Sequence, residues 1–177
     1  MTDTVSLIRK PVAGDYASFY EGYVAAVETD DILACLIQQR TDILTLLRGV
    51  VWEKWEMAYA EGKWSLAEVV LHCIDGERIF AYRALRIARG DQTPLPGFEQ
   101  DDYVPNSGAG SRTPASIVDE FAAVRDATIH LFSNLTNEMW ERRGTASDAE
   151  VTVTALAFII AGHWEHHLRV IRERYLS

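Results

Sequence analysis

Apolar residues recur every three or four positions along most of the chain, which is the spacing of one face of an α-helix. No run alternates between apolar and polar residues as a half-buried strand would. Residues 16–27 have an aromatic face of this kind, with Asp15 available as a cap, and predict a short N-terminal helix. A second stripe begins after Asp30 or Asp31 and ends before Gly49, which predicts a long helix. We therefore expect an all-α fold.

Polar capping residues mark the starts of three further long helices: Ser65 with Glu68, Thr113 with Pro114, and Thr152 or Thr154. The first should run to about residue 89, the second should end before Gly144 with a break near residue 137, and the third should end on a basic last turn. Residues 90–114 contain four of the five prolines, which predicts a long connection without regular structure. A four-helix bundle with one long crossover, over about residues 90–113, accommodates this connection within a single domain spanning residues 1–177.

The composition limits the cellular location and the binding partners expected of this domain. Twenty-six acidic and 17 basic side chains give a formal charge of −9, so the surface on average repels nucleic-acid backbones and anionic lipid. The uncharged stretch at residues 151–164 is shorter than the ~20 residues that span a bilayer, and residues 1–10 lack the charge order of a secretory signal. Two cysteines are too few for a disulfide framework. We therefore expect a cytoplasmic protein that binds neither nucleic acid nor membrane.

Three of the five histidines fall within about one helical turn near the C-terminus. His163 and His167 are four residues apart, so both lie on the inward stripe of the last helix, where two imidazoles can converge on one divalent ion. The alternative is that buried acids or carbonyl groups accept hydrogen bonds from them. His166 lies about 100° round the helix from His167 and is expected at the rim, with a pairing of His163 and His166 as the alternative. His130 lies beside its own helix stripe and is expected at the surface.

A third metal ligand has to come from another helix, and His72 is the best candidate. It lies in an apolar part of the second long helix, with Glu68 and Asp75 at helical spacing as acids that can orient its ring. Cys73 points away from His72 and is interpreted as a small buried apolar residue. Three imidazoles leave coordination positions open and favour ions such as zinc or nickel over magnesium or calcium. Three histidines satisfied within the core, with no metal, remain the alternative.

Several motifs along the chain occur together in one known protein family. They are YAEGKWS at residues 59–65, His72, ERIFAYRALRIARGD at residues 77–91, PLPGF at residues 94–98, the acidic pair before Tyr103, and AGHWEHH followed by RERY near the C-terminus. In this combination, over about residues 15–176, the chain resembles the DinB superfamily of metal-binding four-helix bundles. The resemblance implies an up-down-down-up bundle whose crossover joins the second and third helices, and a divalent metal ion held by His72, His163 and His167.

The resemblance also implies a class of chemistry. Characterised members of the superfamily include transferases that use low-molecular-weight thiols such as bacillithiol and mycothiol, and a thiol-dependent maleylpyruvate isomerase. An enzyme is therefore implied in which a bound metal ion activates a thiol cosubstrate, or water, toward a small-molecule substrate. A non-catalytic metal-binding bundle with a stress-response or structural role is the alternative, because a shared fold does not carry an activity with it.

Three further residues are candidates for contacts around the metal or the substrate. Asp75 is placed to orient His72, and Arg83 lies on the same helix face as His72, where it can meet an anionic substrate. Tyr103 lies on the crossover, where the loop can cover the mouth of the site. The tyrosines of the N-terminal helix are expected to pack either in the core or in a homodimer interface.

Overall fold

The structure is a computed structural model that describes residues 8–177. Its helices are α1 (Glu21–Ala26), α2 (Ile32–Arg48), α3 (Trp52–Trp55), α4 (Leu66–Ala88), α5 (Gln100–Tyr103), α6 (Pro114–Ser133), α7 (Asn137–Glu141) and α8 (Val153–Val170). Two short strands, β1 (Arg143–Ala146) and β2 (Ala149–Thr152), pair antiparallel. The predicted lack of a secretory signal rests mostly on residues 1–7, which lie outside the described residues.

The long helices α2, α4, α6 and α8 form the predicted up-down-down-up four-helix bundle. α4 packs between α6 and α8, and α2 packs against the same two helices. Apolar side chains fill the interior in two clusters, one around Leu36 and Phe158 and the other around Leu66 and Trp164. Because α4 and α6 run side by side in the same direction, the chain has to return along the bundle between them, and the crossover makes this return. Within residues 8–177, no helix is both long and apolar enough to cross a membrane.

Polar side chains cap the four bundle helices as predicted. Each accepts a hydrogen bond from the backbone N–H three residues further on: Asp31, Ser65, Thr113 and Thr152. Glu68 completes a capping box at the start of α4. The prediction for Asp15 is wrong, because helical structure begins only at Ser18 and the Asp15 carboxylate instead accepts a hydrogen bond from the Val12 N–H and pairs with Arg143.

The hairpin formed by β1 and β2 is an element that the apolar pattern does not predict. Each strand has four residues, and both turn residues, Ser147 and Asp148, have positive φ angles, as a two-residue hairpin turn requires. Strands this short give too few alternating positions to stand out from the helical pattern. The fold is therefore helical with one small sheet.

The crossover contains short helical turns, where the sequence predicted irregular chain. They are α5 and the two 3₁₀ turns Val104–Asn106 and Ala109–Ser111, each too short for apolar periodicity to reveal. The Leu95 N–H donates to the carbonyl oxygen of Thr145 on β1 at 2.9 Å. Arg83 on α4 donates from Nη2 to the Pro96 carbonyl oxygen at 2.8 Å and to the Ser147 hydroxyl at 2.9 Å. The crossover is thus fixed to both α4 and the hairpin.

The N-terminal helix α1 lies directly on α8. A Cβ atom on Gly162 of α8 would lie 1.9 Å from the carbonyl oxygen of Tyr23, so only glycine permits this approach. The contact places the Tyr23 ring edge to face with the ring of His163, with centroids 5.3 Å apart. Residues of α1 therefore form part of the surroundings of the histidines on α8. Association of two copies through this aromatic face stays a prediction.

Candidate metal centre

The three histidines singled out in the sequence lie together where α4 meets α8. Nε2 of His72 lies 3.0 Å from Nε2 of His163. The ring centroid of His167 lies 5.0 Å from that of His72 and 4.7 Å from that of His163. One ring nitrogen from each residue lies within 4.8 Å of the other two. The rings meet edge to face, so they are arranged around a shared point and not stacked.

Burial keeps these imidazoles neutral. His72 and His163 are 6% and 4% exposed. Burial lowers the pKa of His72 to about 4 and the pKa of His167 to about 3, and it lowers the pKa of His163 well below the ordinary value. A neutral imidazole offers a lone pair to a metal ion without first losing a proton. The cluster is therefore suited to bind a cation near neutral pH.

A glycine and a tryptophan set the spacing between the two helices at this point. Gly76 lies one turn after His72 on α4, and a Cβ atom there would lie 3.2 Å from Cε1 of His163. Because Gly76 has no side chain, the ring of His163 can pack against α4 at this point. Trp164, the next residue on α8, donates from Nε1 to Oε2 of Glu77 on α4 at 2.7 Å. These two contacts hold His163 opposite His72.

Two cavities open onto the cluster from different sides. The first cavity, of about 300 Å³, reaches His72 and His163 and is lined by residues from the N-terminal segment, α4 and the crossover. The second cavity, of about 350 Å³, reaches His167 and is lined by Lys63 among others. Asp101 of α5 lines both cavities. The histidines are thus buried by protein but remain within reach of small molecules.

Neither of the acids predicted to orient His72 is hydrogen-bonded to it. Glu68 is used in the capping box of α4. Asp75 forms an ion pair with Arg78 at 3.6 Å. The carboxylate of Asp75 is therefore used in a pairing along α4, with a partner three residues further on.

The other two predicted contact residues have partners elsewhere in the chain. Arg83 is 3% exposed, and its Nη2 group holds the crossover and the hairpin, so its contact with a substrate stays a prediction. Tyr103 is 48% exposed, and its ring packs against Phe98 with centroids 5.5 Å apart. Phe98, and not Tyr103, lines the first cavity. Cys73 is fully buried and takes no part in the histidine cluster, as predicted.

Four residues near the histidines were not found from the sequence: Tyr23, Gly76, Asp101 and Gly162. The two glycines carried a usable signal, because a glycine inside a helix costs about 1 kcal/mol relative to alanine and therefore marks a close approach. Gly76 follows His72 by one turn, and Gly162 directly precedes His163. Tyr23 carried no local signal and Asp101 was noted only within the acidic pair before Tyr103, since the positions of both depend on how α1 and the crossover dock.

The donor set fits a divalent transition-metal ion. In a tetrahedral site with metal–nitrogen distances of about 2.1 Å, two ligand nitrogens lie roughly 3.4 Å apart. The 3.0 Å separation of the Nε2 atoms of His72 and His163 is close to this value. Three neutral imidazole nitrogens suit zinc or nickel better than magnesium or calcium. The cavities leave room for further ligands beside such an ion.

The family model of the DinB superfamily matches residues 36–171. The matched range contains all three histidines of the cluster and the four bundle helices up to Val170, except for the first turn of α2. It begins after α1, so the N-terminal segment lies outside the match. A comparison with curated proteins gives no significant match.

Two solved structures share the fold of this chain. YfiT from Bacillus subtilis, a probable metal-dependent hydrolase with an unusual four-helix bundle topology, is 15% identical with a TM-score of 0.58, and the match covers 93% of this chain and 92% of that chain. A mycothiol-dependent maleylpyruvate isomerase is 11% identical with a TM-score of 0.64, and the match covers 86% of this chain and 62% of that chain. This chain therefore spans less than two thirds of the isomerase. At these identities the likeness shows the fold alone.

Proposed function

The chain belongs to the DinB superfamily, and on that basis we propose that His72, His163 and His167 hold a divalent metal ion at which a small molecule reacts. One observation carries the proposal: three neutral, largely buried imidazoles bring their nitrogens within 4.8 Å of one another beside cavities that admit small molecules. A divalent ion with open positions lowers the pKa of a thiol or water that binds to it, which supplies a nucleophile near neutral pH.

The chain's own residues contribute binding and the exclusion of water. Aromatic rings form much of the wall of the first cavity, so a substrate there loses contact with bulk solvent. Asp101 is close enough to His72 to raise its pKa against the larger lowering by burial, which places a carboxylate beside the reacting region. This carboxylate is positioned to accept a proton from a substrate in either cavity.

Transfer from a low-molecular-weight thiol is the reaction that the arrangement favours. A transfer needs two organic molecules, and the two cavities approach the cluster from different sides with Asp101 common to both. Hydrolysis is the second candidate reaction, and it needs only one organic molecule and water. The two structural neighbours also differ in this respect, one being a probable metal-dependent hydrolase and the other a mycothiol-dependent isomerase.

Metal analysis of the purified protein tests the first half of the proposal. We expect about one zinc or nickel ion per chain in the wild type, and a loss of at least about a hundredfold in affinity for His72→Ala, His163→Ala and His167→Ala. His130→Ala, which changes an exposed histidine on α6, is the control and should keep its metal. Undiminished metal in the His163→Ala or His167→Ala protein would contradict the site.

Thiol consumption tests the second half. The zinc-loaded and nickel-loaded proteins are incubated with bacillithiol, mycothiol, glutathione or coenzyme A and a panel of electrophiles, and the remaining free thiol is measured. We expect turnover with at least one thiol that chelation abolishes and added metal restores. Metal-dependent loss of an ester or amide without thiol would favour the hydrolase. Metal binding without any turnover would favour a non-catalytic metal-binding bundle.

A further inference from the structure

The wall of the first cavity is unusually aromatic. Five rings line it: Phe19, Tyr20, Tyr23, Phe80 and Phe98. Neighbouring rings meet mostly edge to face, with centroid distances of 5.2 Å for Phe19 and Tyr20 and 5.8 Å for Tyr20 and Phe80. At these angles, the rings turn both faces and edges toward the first cavity. Ring faces carry partial negative charge and attract cations.

The charged side chains that line the same cavity are both acidic. They are Glu99 and Asp101, and no lysine or arginine of residues 8–177 lies in its wall. The guanidinium of Arg83 lies 5.8 Å from the ring centroid of Phe80 and 5.9 Å from that of Phe98, outside the lining. Two of these rings thus already contact a cation within the protein.

The N-terminal segment at the mouth of this cavity is fixed, although one of its aromatic rings is largely exposed to solvent. Phe19 is 78% exposed, which leaves most of a large apolar ring in water at the cavity edge. Its segment is fixed nearby, because Gly162 allows the backbone of Tyr23 to rest on α8. Three of the five rings come from this N-terminal segment, outside the residues that the family model matches. The other two, Phe80 and Phe98, lie within the matched residues.

We propose that the first cavity selects a small molecule that carries an organic ammonium group, bound between the aromatic rings and the carboxylates of Glu99 and Asp101. The proposal rests on the proposed function, since it specifies the substrate class of that site. Aromatic faces attract alkylammonium groups, and the nearby carboxylates add charge attraction. The ammonium group sits among the rings and the two carboxylates, and another part of the molecule reaches His72 and His163.

Binding of a matched pair of probes tests this directly. Choline carries a trimethylammonium group, and 3,3-dimethyl-1-butanol has the same shape without the charge. Calorimetric titration of the full chain, with and without bound zinc, should show choline binding about tenfold more tightly than the alcohol. Equal affinity for the two probes would overturn the proposal. So would choline binding that zinc abolishes, because the probe would then be occupying the metal site itself.

Charge-removing variants locate the ammonium site. Asp101→Asn and Glu99→Gln should each weaken choline binding about threefold to tenfold and leave binding of the alcohol unchanged. Asp102→Asn is the matched control, since it removes the same charge from the next residue of α5, which does not line the cavity. An equal effect of Asp102→Asn would mean that the overall charge of the loop, and not a site, governs binding.

Ring-removing variants complete the test. Phe19→Leu and Phe98→Leu should each weaken choline binding about threefold, whereas Tyr82→Leu, an exposed aromatic of α4 outside the cavity, should not. Choline binding that is unaffected by both phenylalanine changes would contradict the proposal.

One more variant separates this proposal from the metal proposal. His167 does not line the first cavity, so His167→Ala should lose zinc and keep choline binding. A wild type that binds zinc but not choline would refute the ammonium site alone, and one that binds choline but not zinc would refute the metal site alone.

Discussion

Two buried polar clusters lie next to each other on α4 and α8, and they are satisfied in different ways. In the first, which we call the ion-pair network, Arg125 of α6 donates from Nε and Nη2 to the two carboxylate oxygens of Glu77 at 2.8 and 3.0 Å. Trp164 donates to the same carboxylate, and Gln39 accepts from Arg125 at 3.2 Å. In the histidine cluster, the contact between two Nε2 atoms is the only hydrogen bond that the three rings make within residues 8–177.

The difference lies in where each cluster finds its hydrogen-bond partners. Arg125 is fully buried and Glu77 is 1% exposed. The two side chains nevertheless pair with each other as opposite charges, and each has several hydrogen-bond partners inside the chain. The imidazoles offer acceptor nitrogens, and no carboxylate of the described chain is hydrogen-bonded to them. The ion-pair network is thus completed within the chain, whereas the three histidines border the two cavities, where water or another ligand can reach them.

Removing the arginine should have the largest effect on stability. Arg125→Met leaves the Glu77 carboxylate buried without its partner, so we expect the free energy of unfolding in urea to fall by about 3–5 kcal/mol. The double variant Glu77→Leu with Arg125→Met removes both charges and should recover most of this loss. A loss below about 1 kcal/mol for the single variant would mean that the network does not stabilise the fold as the contacts suggest.

Zinc should stabilise the histidine cluster and leave the ion-pair network unaffected. At a free zinc concentration one hundred times the dissociation constant, the free energy of unfolding should rise by about 2.7 kcal/mol in the wild type and in His130→Ala. His167→Ala should gain almost nothing under the same conditions. If zinc stabilised the His167→Ala protein as much as the wild type, zinc would have to bind at another site on the protein.

Acid should destabilise the metal-free protein through the histidines. An unfolded histidine takes up a proton near pH 6.5, whereas burial holds the folded pKa of His72 to about 4 and that of His167 to about 3. The unfolded chain therefore binds more protons between these values, and stability falls as the pH decreases from about 6.5 toward 4. Each such histidine contributes a slope of about 1.4 kcal/mol per pH unit.

Urea titrations in the presence of a chelator at pH 7, 6 and 5 measure this slope. His167→Ala should reduce it by about 1.4 kcal/mol per pH unit. His130→Ala is again the control. A wild-type protein whose stability is unchanged between pH 6.5 and 5 would show that the histidines are not held neutral.

The smallest expected effect comes from the glycine that makes room for His163. Gly76→Ala forces the His163 ring to move by a few tenths of an ångström. We expect zinc affinity to fall about tenfold, by analogy with changes to groups that orient metal ligands. Stability should change by less than about 1 kcal/mol, since alanine favours the helix and offsets part of the crowding.

Gly22→Ala on α1 is the matched control, because nothing lies within 4 Å of the added Cβ atom. Unchanged zinc affinity in the Gly76→Ala protein would mean that the ring position set by Gly76 does not matter for the metal.

The parts of the fold that were predicted depend on local sequence. Helix starts at Asp31 and Thr113 need only a capping side chain and the apolar stripe that follows. The i and i+4 spacing of His163 and His167 is equally local. The hairpin was missed because its alternation lasts only four residues per strand. Short-range sequence patterns were thus enough to predict the bundle helices but not the hairpin and the short turns that connect them.

The parts that were missed depend on how helices dock. Glu77 and Arg125 are far apart in sequence and each resembles an ordinary exposed charge on a helix, so nothing local marks them as a buried pair. Arg83 was predicted to meet a substrate for the same reason, yet it holds the crossover. His72 was chosen from the residues as the third ligand and the family resemblance pointed to it as well, but apolar periodicity alone does not say which faces of α4 and α8 meet.

The ion-pair network also determines how the bundle can come apart. It contacts all four long helices: Leu36 and Gln39 of α2, Glu77 of α4, Arg125 of α6, and Ala161 and Trp164 of α8. Detaching any one helix would uncover part of a charge pair whose remainder stays buried, so partial opening is penalised almost as much as complete opening. The four helices therefore form a single cooperative unit, and their slowest amides should exchange with deuterium through one shared opening.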